Sequence, residues 1–349
     1  MKNINLSNVK KILVTRTDRI GDVILSTPVF QALKETFPAV KIYALVLPAT
    51  SEILEGNPYI DKVLIYDKRG KHKSFFKTLA FARSLRKEKI DIALHLHPTN
   101  RIHILSFVAG IPIRIGYKKK YHFLLTHSIE ERKWEGKKHE SLYNFDLLDF
   151  LHVIPPKEMK PFFIVKEKDE KALDSILQEE KISLSSYIVL FPGASCPSKM
   201  WPIDHFIQLA DVLYRKYNMH IVLVGGSQDE EITRNIVSRV SIPIVNLAGK
   251  LSLKMLGVLL KRARMLISND SGPVHIAASL NTPVISIFGR SDSGLSPNRW
   301  RPLGQRSYFI HKNVGCLKCL AHNCDKEFLC LKSITAGDIL EIIENRGLL

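Results

Sequence analysis

Four short stretches of this sequence carry residue types whose spacing suits chemistry. Gly21-Asp22 places a carboxylate beside a glycine just after an apolar run, where it could act as a general base. The plain alternative is an aspartate capping the next helix. Phe191-Pro192-Gly193-Ala194-Ser195 continues to Lys199-Met200-Trp201-Pro202. Its small residues let backbone approach a phosphate and Lys199 adds a positive charge; the alternative is a loop with a snorkelling lysine. Val224-Gly225-Gly226-Ser227-Gln228-Asp229-Glu230 suits close approach to a nucleotide through its two glycines, although a glycine pair is also a common turn. The fourth stretch, Ser268-Asn269-Asp270-Ser271-Gly272-Pro273-Val274-His275, reads as strand end, tight loop and helix start. Pro273 suits the first helical position, with Ser271 or Gly272 as the cap. The free N–H groups and positive dipole end of such a helix form an anion site, most often for phosphate. His275, one turn in, faces the same space; a packed histidine at an ordinary strand–helix junction is an equally weighted reading.

The elements that must position these loops alternate. Lys11–Val14 reads as a first strand, followed by a helix beginning near Val23. Strands are expected at 41–47, 62–66, 90–97 and 113–117, with helical spacing between them. Residues 118–138 break the pattern with a lysine-rich loop. His139 to Leu151 reads as helical, and Pro155-Pro156 and Pro161 mark a connection. A second alternation then runs through strands at 187–191, 220–224, 243–247, 265–268 and 284–288, and a last helix spans 335–345. Strand alternating with helix implies parallel sheets covered on both faces, in two doubly wound units. The expected division is 1–160, 161–334 and a C-terminal helix in 335–349. In such sheets ligands bind at the carboxyl ends of the strands, where all four loops fall.

The chain of 349 residues, 45% hydrophobic and 24% charged, suits two globular domains. No apolar run approaches the ~20 residues of a membrane span. Met1 to Lys11 is polar and leads straight into a strand, so no signal peptide is expected and the protein should stay in the cytoplasm. The net charge of +17 is uneven: residues 1–160 hold 28 basic against 16 acidic residues, and 62–138 alone hold 19 against 6. Such a field attracts polyanions, whether nucleic acid, anionic lipid or a phosphorylated glycolipid. The 62–138 stretch shows no clear nucleic-acid recognition motif or stacking platform, so no nucleic-acid partner is expected. Cys316-x2-Cys319-x4-Cys324-x5-Cys330 admits a structural zinc or a redox-sensitive staple, at even weight with four plain thiols.

No G-x-G-x-x-G follows the first strand and no G-x-x-x-x-G-K-[ST] occurs, which argues against dehydrogenase and P-loop chemistry. No Asp-x-Asp occurs to carry a metal on a sugar diphosphate. Asp18-Arg19-Ile20-Gly21-Asp22-Val23-Ile24-Leu25-Ser26-Thr27-Pro28 resembles the N-terminal motif of glycosyltransferase family 9, the bacterial heptosyltransferases of lipopolysaccharide core assembly. The stretches at 192–202, 224–226 and 268–275 resemble that family's second, third and fourth motifs. Order and spacing match over nearly the whole chain.

The resemblance implies an α/β fold of the GT-B kind, with two facing Rossmann-like doubly wound domains and a central cleft. It implies an inverting transfer of heptose from ADP-heptose, held by the C-terminal domain, to a lipid-A-linked inner-core acceptor (Kdo–lipid A or its heptosylated form) on the basic N-terminal domain. Carried over by motif, Asp22 matches the catalytic base and Lys199 the lysine on the donor diphosphate. Asp270, Ser271, Gly272 and His275 match the donor loop, with Gly226 beside them. Ala194 and Ser195 stand where other members often carry Thr or Ser, so only Ser195 keeps a hydroxyl. Gln228 replaces a glutamate that some members place on the ribose. Arg101, Arg114, Lys118, Lys119 and Lys120 are the foremost acceptor contacts, with Lys68 and Arg69 behind them. No cofactor is required, ADP-heptose being a substrate, and the enzyme would sit peripherally on the inner face of the inner membrane, an anionic surface. Transfer of another nucleotide-activated sugar, or a non-catalytic basic protein binding polyanions or membrane, remain the alternatives. The oligomeric state is left open.

Overall fold

The computed structural model describes residues 4–182, 184–316, 318–319 and 322–349. Two compact units divide between Phe162 and Phe163. In the first, the strands are β1 (Lys11–Arg16), β2 (Lys41–Val46), β3 (Lys62–Ile65), β4 (Ile92–His95), β5 (Ile113–Lys118) and β6 (His127–Glu130). Its helices are α1 (Ile20–Ile24), α2 (Thr27–Thr36), α3 (Pro48–Leu54), α4 (Phe75–Arg86), α5 (Asn100–Val108) and α6 (Glu140–Phe145). In the second, the strands are β7 (Tyr187–Phe191), β8 (His220–Leu223), β9 (Ile244–Asn246), β10 (Met265–Asn269), β11 (Val284–Phe288) and β12 (Ser307–His311). Its helices are α7 (Glu167–Glu179), α8 (Ile203–Tyr217), α9 (Glu230–Arg239), α10 (Leu253–Arg262), α11 (Gly272–Ser279), α12 (Pro297–Trp300), α13 (Leu329–Lys332) and α14 (Ala336–Asn345).

Both sheets are parallel throughout and have the same topology. The first runs β3-β2-β1-β4-β5-β6 and the second β9-β8-β7-β10-β11-β12. This is the doubly wound order whose chain direction reverses between the first and fourth strands, opening a crevice at their carboxyl ends. The central strands are buried on both faces and read as unbroken apolar runs, Ile12-Leu13-Val14 and Ile188-Val189-Leu190 among them. In the first unit Leu13, Leu45 and Ala93 pack against Ala82 and Leu85 of α4 and Ile102 and Leu105 of α5. In the second, Trp201 and Phe206 pack with Ile188, Ile267, Ile339 and Ile343. The C-terminal helix α14 is therefore part of the second core rather than an appendage.

Two strands fall outside the sequence-based expectation. β6 lies within the lysine-rich stretch, and β12 follows a proline-containing turn. Both are edge strands, pairing with β5 and β11 alone. An edge strand covers less core, so His127-Ser128-Ile129-Glu130 lacks the apolar run that marks its neighbours. The helix expected over 139–151 is shorter: α6 ends at Phe145, and a 3-10 turn follows at Leu148–Leu151.

Candidate active site

In the first unit, the reversal point lies between the ends of β1 and β4. Arg16 closes β1 with its side chain 3% exposed, and its guanidinium organises the surroundings. Nε donates to Asp18 Oδ1 at 3.0 Å, and the terminal nitrogens donate to Asp22 Oδ1, to Glu140 Oε1 at 3.1 Å and to Asn144 Oδ1 at 2.9 Å. Lys133 Nζ donates to the same Glu140 oxygen at 2.7 Å. His97, just beyond β4, brings Nδ1 within 3.1 Å of Asp18 Oδ2. Asn144 of α6 donates to Leu25 O and Ser26 Oγ, and Ser26 Oγ donates to Asp22 O at 2.7 Å. Helix α6 thereby clamps the turn that carries Asp22.

This cluster holds three carboxylates and two fixed cations in a nearly dry setting. Burial decides its protonation, with the surplus negative charge adding to it. Burial raises the Asp18 carboxyl to about 7; Asp22 and Glu140 push the same way, while Arg16 opposes them. Burial, helped by the surrounding cations Arg16, Lys68, Lys133 and Lys119, holds His97 down to about 3 and so neutral. Near neutrality, Asp18 can keep a proton that balances the cluster; the Asp18 and Asp22 side chains are about equally enclosed, 13% and 15% exposed.

The expected acceptor cations divide by what already occupies them. Arg101 donates to the carbonyls of Lys68 and Lys73, at 3.1 and 2.8 Å, and so staples the start of α5 to the loop after β3. Arg114 donates to Leu124 O and Ile111 O and stacks on Phe107, 5.4 Å from the ring centroid. Both guanidiniums hold backbone in place. Lys118 and Lys119 pair with Glu130 and Glu131, at 2.8 and 3.2 Å, through exposed contacts worth little. Lys120 lies over the Tyr121 ring, and Arg69 is exposed on its loop.

In the second unit, the reversal point lies between β7 and β10. Lys199, in the 3-10 turn Pro197–Lys199, sets Nζ 2.5 Å from Asp270 Oδ2. Asn269 joins the same two loops from below: its amide donates to Pro192 O at 2.7 Å, and its oxygen accepts from Trp201 N at 3.0 Å. Ser268 and Ser271 hydroxyls lie 2.9 Å apart, and Ser271 caps α11 in extended conformation. His275 is buried one turn into α11, and Ser195 is exposed on the loop after β7. The N-terminus of α11, Lys199 and the small residues at 193–195 thus surround one edge of the sheet, an arrangement that suits a diphosphate.

The glycines have a different reason from the one expected. A Cβ on Gly193 would fall 2.4 Å from Asp229 Oδ1, and one on Gly225 2.6 Å from Asp229 Cβ. Gly193 and Gly225 make room for buried Asp229, whose Oδ2 accepts from Gly226 N at 2.9 Å and from Gln228 Nε2 at 3.1 Å. Gln228 is exposed, with its amide turned back onto that carboxylate. Burial raises the Asp229 carboxyl. Arg290, beyond β11, donates to Ser198 Oγ at 2.9 Å and Cys196 Sγ at 2.7 Å, bracing the turn that carries Lys199.

Sequence reasoning missed Arg16, Glu140, Lys133, Asn269, Asp229 and Arg290. For Arg16 and Asn269 a signal existed, a polar residue ending an apolar central strand. The four clustered cysteines are free thiols; burial and then the other three thiols raise Cys330. Among the described residues, no group of three or more His, Cys, Asp or Glu is arranged to hold a metal ion, and no helix is long and apolar enough to cross a membrane.

Comparison with known proteins agrees with this geometry. Residues 78–329 match the model of glycosyltransferase family 9 (heptosyltransferase). Lipopolysaccharide heptosyltransferase 3 of Escherichia coli K12 is 28% identical over 341 residues, covering 93% of this chain and 94% of that protein. Among solved structures, a family 9 glycosyl transferase from Veillonella parvula superposes with a TM-score of 0.83 at 23% identity, covering 99% of this chain and 98% of that one. ADP-heptose lps heptosyltransferase II of E. coli gives 0.80 at 24%, covering 97% and 98%. These likenesses place the two parallel-sheet units in the GT-B class, and the match across most of the sequence establishes that this chain is a glycosyltransferase belonging to family 9, the heptosyltransferase family.

Proposed function

We propose that the enzyme transfers heptose from ADP-heptose to a lipid-A-linked inner-core acceptor, with inversion at the anomeric carbon, on the inner face of the inner membrane. The observation that carries the reading is Lys199, paired with Asp270 beside the α11 N-terminus at one reversal point, together with Asp22, held through one carboxylate oxygen by Arg16, at the other. Inverting transfer needs a base for the acceptor hydroxyl and stabilisation of the departing diphosphate. Asp22 takes the hydroxyl proton as the acceptor oxygen attacks. Arg16 fixes its free rotation from beneath and leaves the outer oxygen available. Lys199 and the free N–H groups of α11 receive the charge that develops on the diphosphate, so no divalent metal is needed. Asp270, which positions Lys199 before donor arrives, can accept from sugar or ribose hydroxyls once the lysine turns to phosphate. Arg69 and Lys118 to Lys120 attract the anionic acceptor.

The test is a reaction of the purified enzyme with ADP-heptose and with ADP-, UDP- and GDP-hexoses on Kdo–lipid A and its heptosylated form. Product is read by mass spectrometry, and anomeric configuration by NMR. Heptose transfer that survives EDTA and inverts configuration is expected. Preference for a hexose donor, retention, or dependence on added magnesium would refute the corresponding part. Metal analysis of the purified protein addresses the cysteines separately: one zinc per chain, lost on Cys316→Ser, would assign them a structural ion.

A further inference from the structure

The edge of the first sheet that carries Asp22 also exposes large aromatic side chains that the transfer chemistry does not use. All six strands are parallel, so the segments following β3, β5 and β6 emerge on the same edge as the turn after β1. Phe75 and Phe76, 64% and 79% exposed, begin α4 after the first of these segments. Phe123, 72% exposed, is not counted with them, because the chain there already returns toward the start of β5, where Leu124 O accepts from Arg114 Nε. Trp134, 69% exposed, follows β6. The segments are tied together: Arg101 staples the start of α5 to the loop after β3, and α5 packs on the turn His122–Leu124.

Scattered exposed apolar residues are ordinary, but three large aromatics, 64–79% exposed, on the segments of one edge are not. Their setting is strongly basic. Segments 66–74, 96–101, 118–126 and 131–139 hold twelve Lys and Arg against three Asp and Glu. Some of these cations are paired or buried, as described for Lys118, Lys119, Arg101 and Lys133. Arg69, Lys71, Lys73 and Arg132 are exposed, with no ion pair to a carboxylate among the described residues. Aromatic rings interleaved with lysines suit the boundary between headgroups and acyl chains, where the rings enter and the cations meet anionic headgroups.

We infer that this edge, through Phe75, Phe76 and Trp134 with the surrounding cations, docks the enzyme on an anionic phospholipid bilayer and so presents Asp22 to a membrane-held acceptor. The inference rests on the proposed function for its purpose, though not for its test. Single-stranded nucleic acid would also meet rings and cations, but it binds along a groove with bases stacked in succession. Here the rings form no such succession: Phe75 and Phe76 begin α4, and Trp134 stands in the turn after β6, beyond the opposite end strand of the sheet.

The full chain is titrated with vesicles of phosphatidylglycerol and phosphatidylethanolamine, following co-sedimentation and tryptophan emission. Trp201 is buried and Trp300 partly so, which leaves Trp134 as the exposed reporter. Emission should shift to the blue, and Trp134→Phe should abolish the shift while binding persists. Phe75→Ser with Phe76→Ser should weaken partitioning by about tenfold or more, the scale set by withdrawing one aromatic side chain from an apolar phase. Vesicles of phosphatidylcholine alone, or 0.5 M salt (roughly a Debye length of 4 Å), should weaken it as well. The double variant should transfer sugar to a deacylated, water-soluble acceptor as the wild type does. No sedimentation with vesicles, an unchanged partition in the double variant, or displacement from vesicles by single-stranded RNA would overturn the docking surface. Vesicle binding without any sugar transfer would support the surface and count against the transfer reading instead.

Discussion

Replacing Asp18 by Asn tests the electrostatic reading of the Arg16 cluster most directly. The amide keeps the shape of the side chain and removes its titration. In the wild type this carboxyl is held at about 7 against an ordinary 3.8. Between those values the folded protein binds a proton that the unfolded chain does not. Stability contributed here is therefore greatest below pH 4 and is lost as pH rises through 7. At about 1.4 kcal/mol per pK, the loss is at most about 4 kcal/mol above pH 8. Asp18→Asn escapes it. The bond from Arg16 Nε opposes the shift and is already contained in it, so the variant should gain up to about 4 kcal/mol over the wild type above pH 8. Below pH 4 the two proteins should be nearly equal. Urea unfolding at intervals from pH 4 to 9, followed by circular dichroism, measures the difference. If both proteins show the same slope between pH 4 and 7, Asp18 does not carry the extra proton. Turnover supplies the second readout, because loss of a non-reacting proton at Asp18 should cost far less rate than loss of the base.

Asp22→Asn should bind donor and acceptor yet turn over about 10²–10⁴ times more slowly, and near-normal steady-state rates would move the base elsewhere. Lys199→Ala should raise the ADP-heptose dissociation constant by about 10–100-fold, the worth of a charge-assisted phosphate contact, as read by calorimetry; unchanged affinity would remove it from the donor site. Gly193→Ala drives a methyl into Asp229 and should destabilise the protein by about 1–3 kcal/mol, a loss that Asp229→Ala made together with it should largely relieve in thermal unfolding.

The loops that carry the proposed site residues were legible in the sequence because loops after buried parallel strands leave a local signature. Apolar runs such as Tyr187–Phe191 and Met265–Asn269 end in small, polar or charged residues, and a helix opens with Gly272-Pro273. Those signals are contained within ten residues and need no tertiary partner to be read. The edge strands β6 and β12 were not legible, because little of their surface enters the core and their composition is free to be polar. What only the folded chain decided is which distant residues meet. Glu140 and Asn144 lie far along the chain from Arg16, yet the sheet order brings α6 against the end of β1, where they fix the turn bearing Asp22. Gly193 and Gly225 looked like room for a ligand; packing shows that Asp229 fills the space beside them. Arg101 and Arg114 looked like free cations, and their charges are spent on backbone carbonyls. Sequence pattern records what each element needs locally, whereas the pairing of a buried charge is a property of the surface it meets, and that surface exists only once the strands are in order.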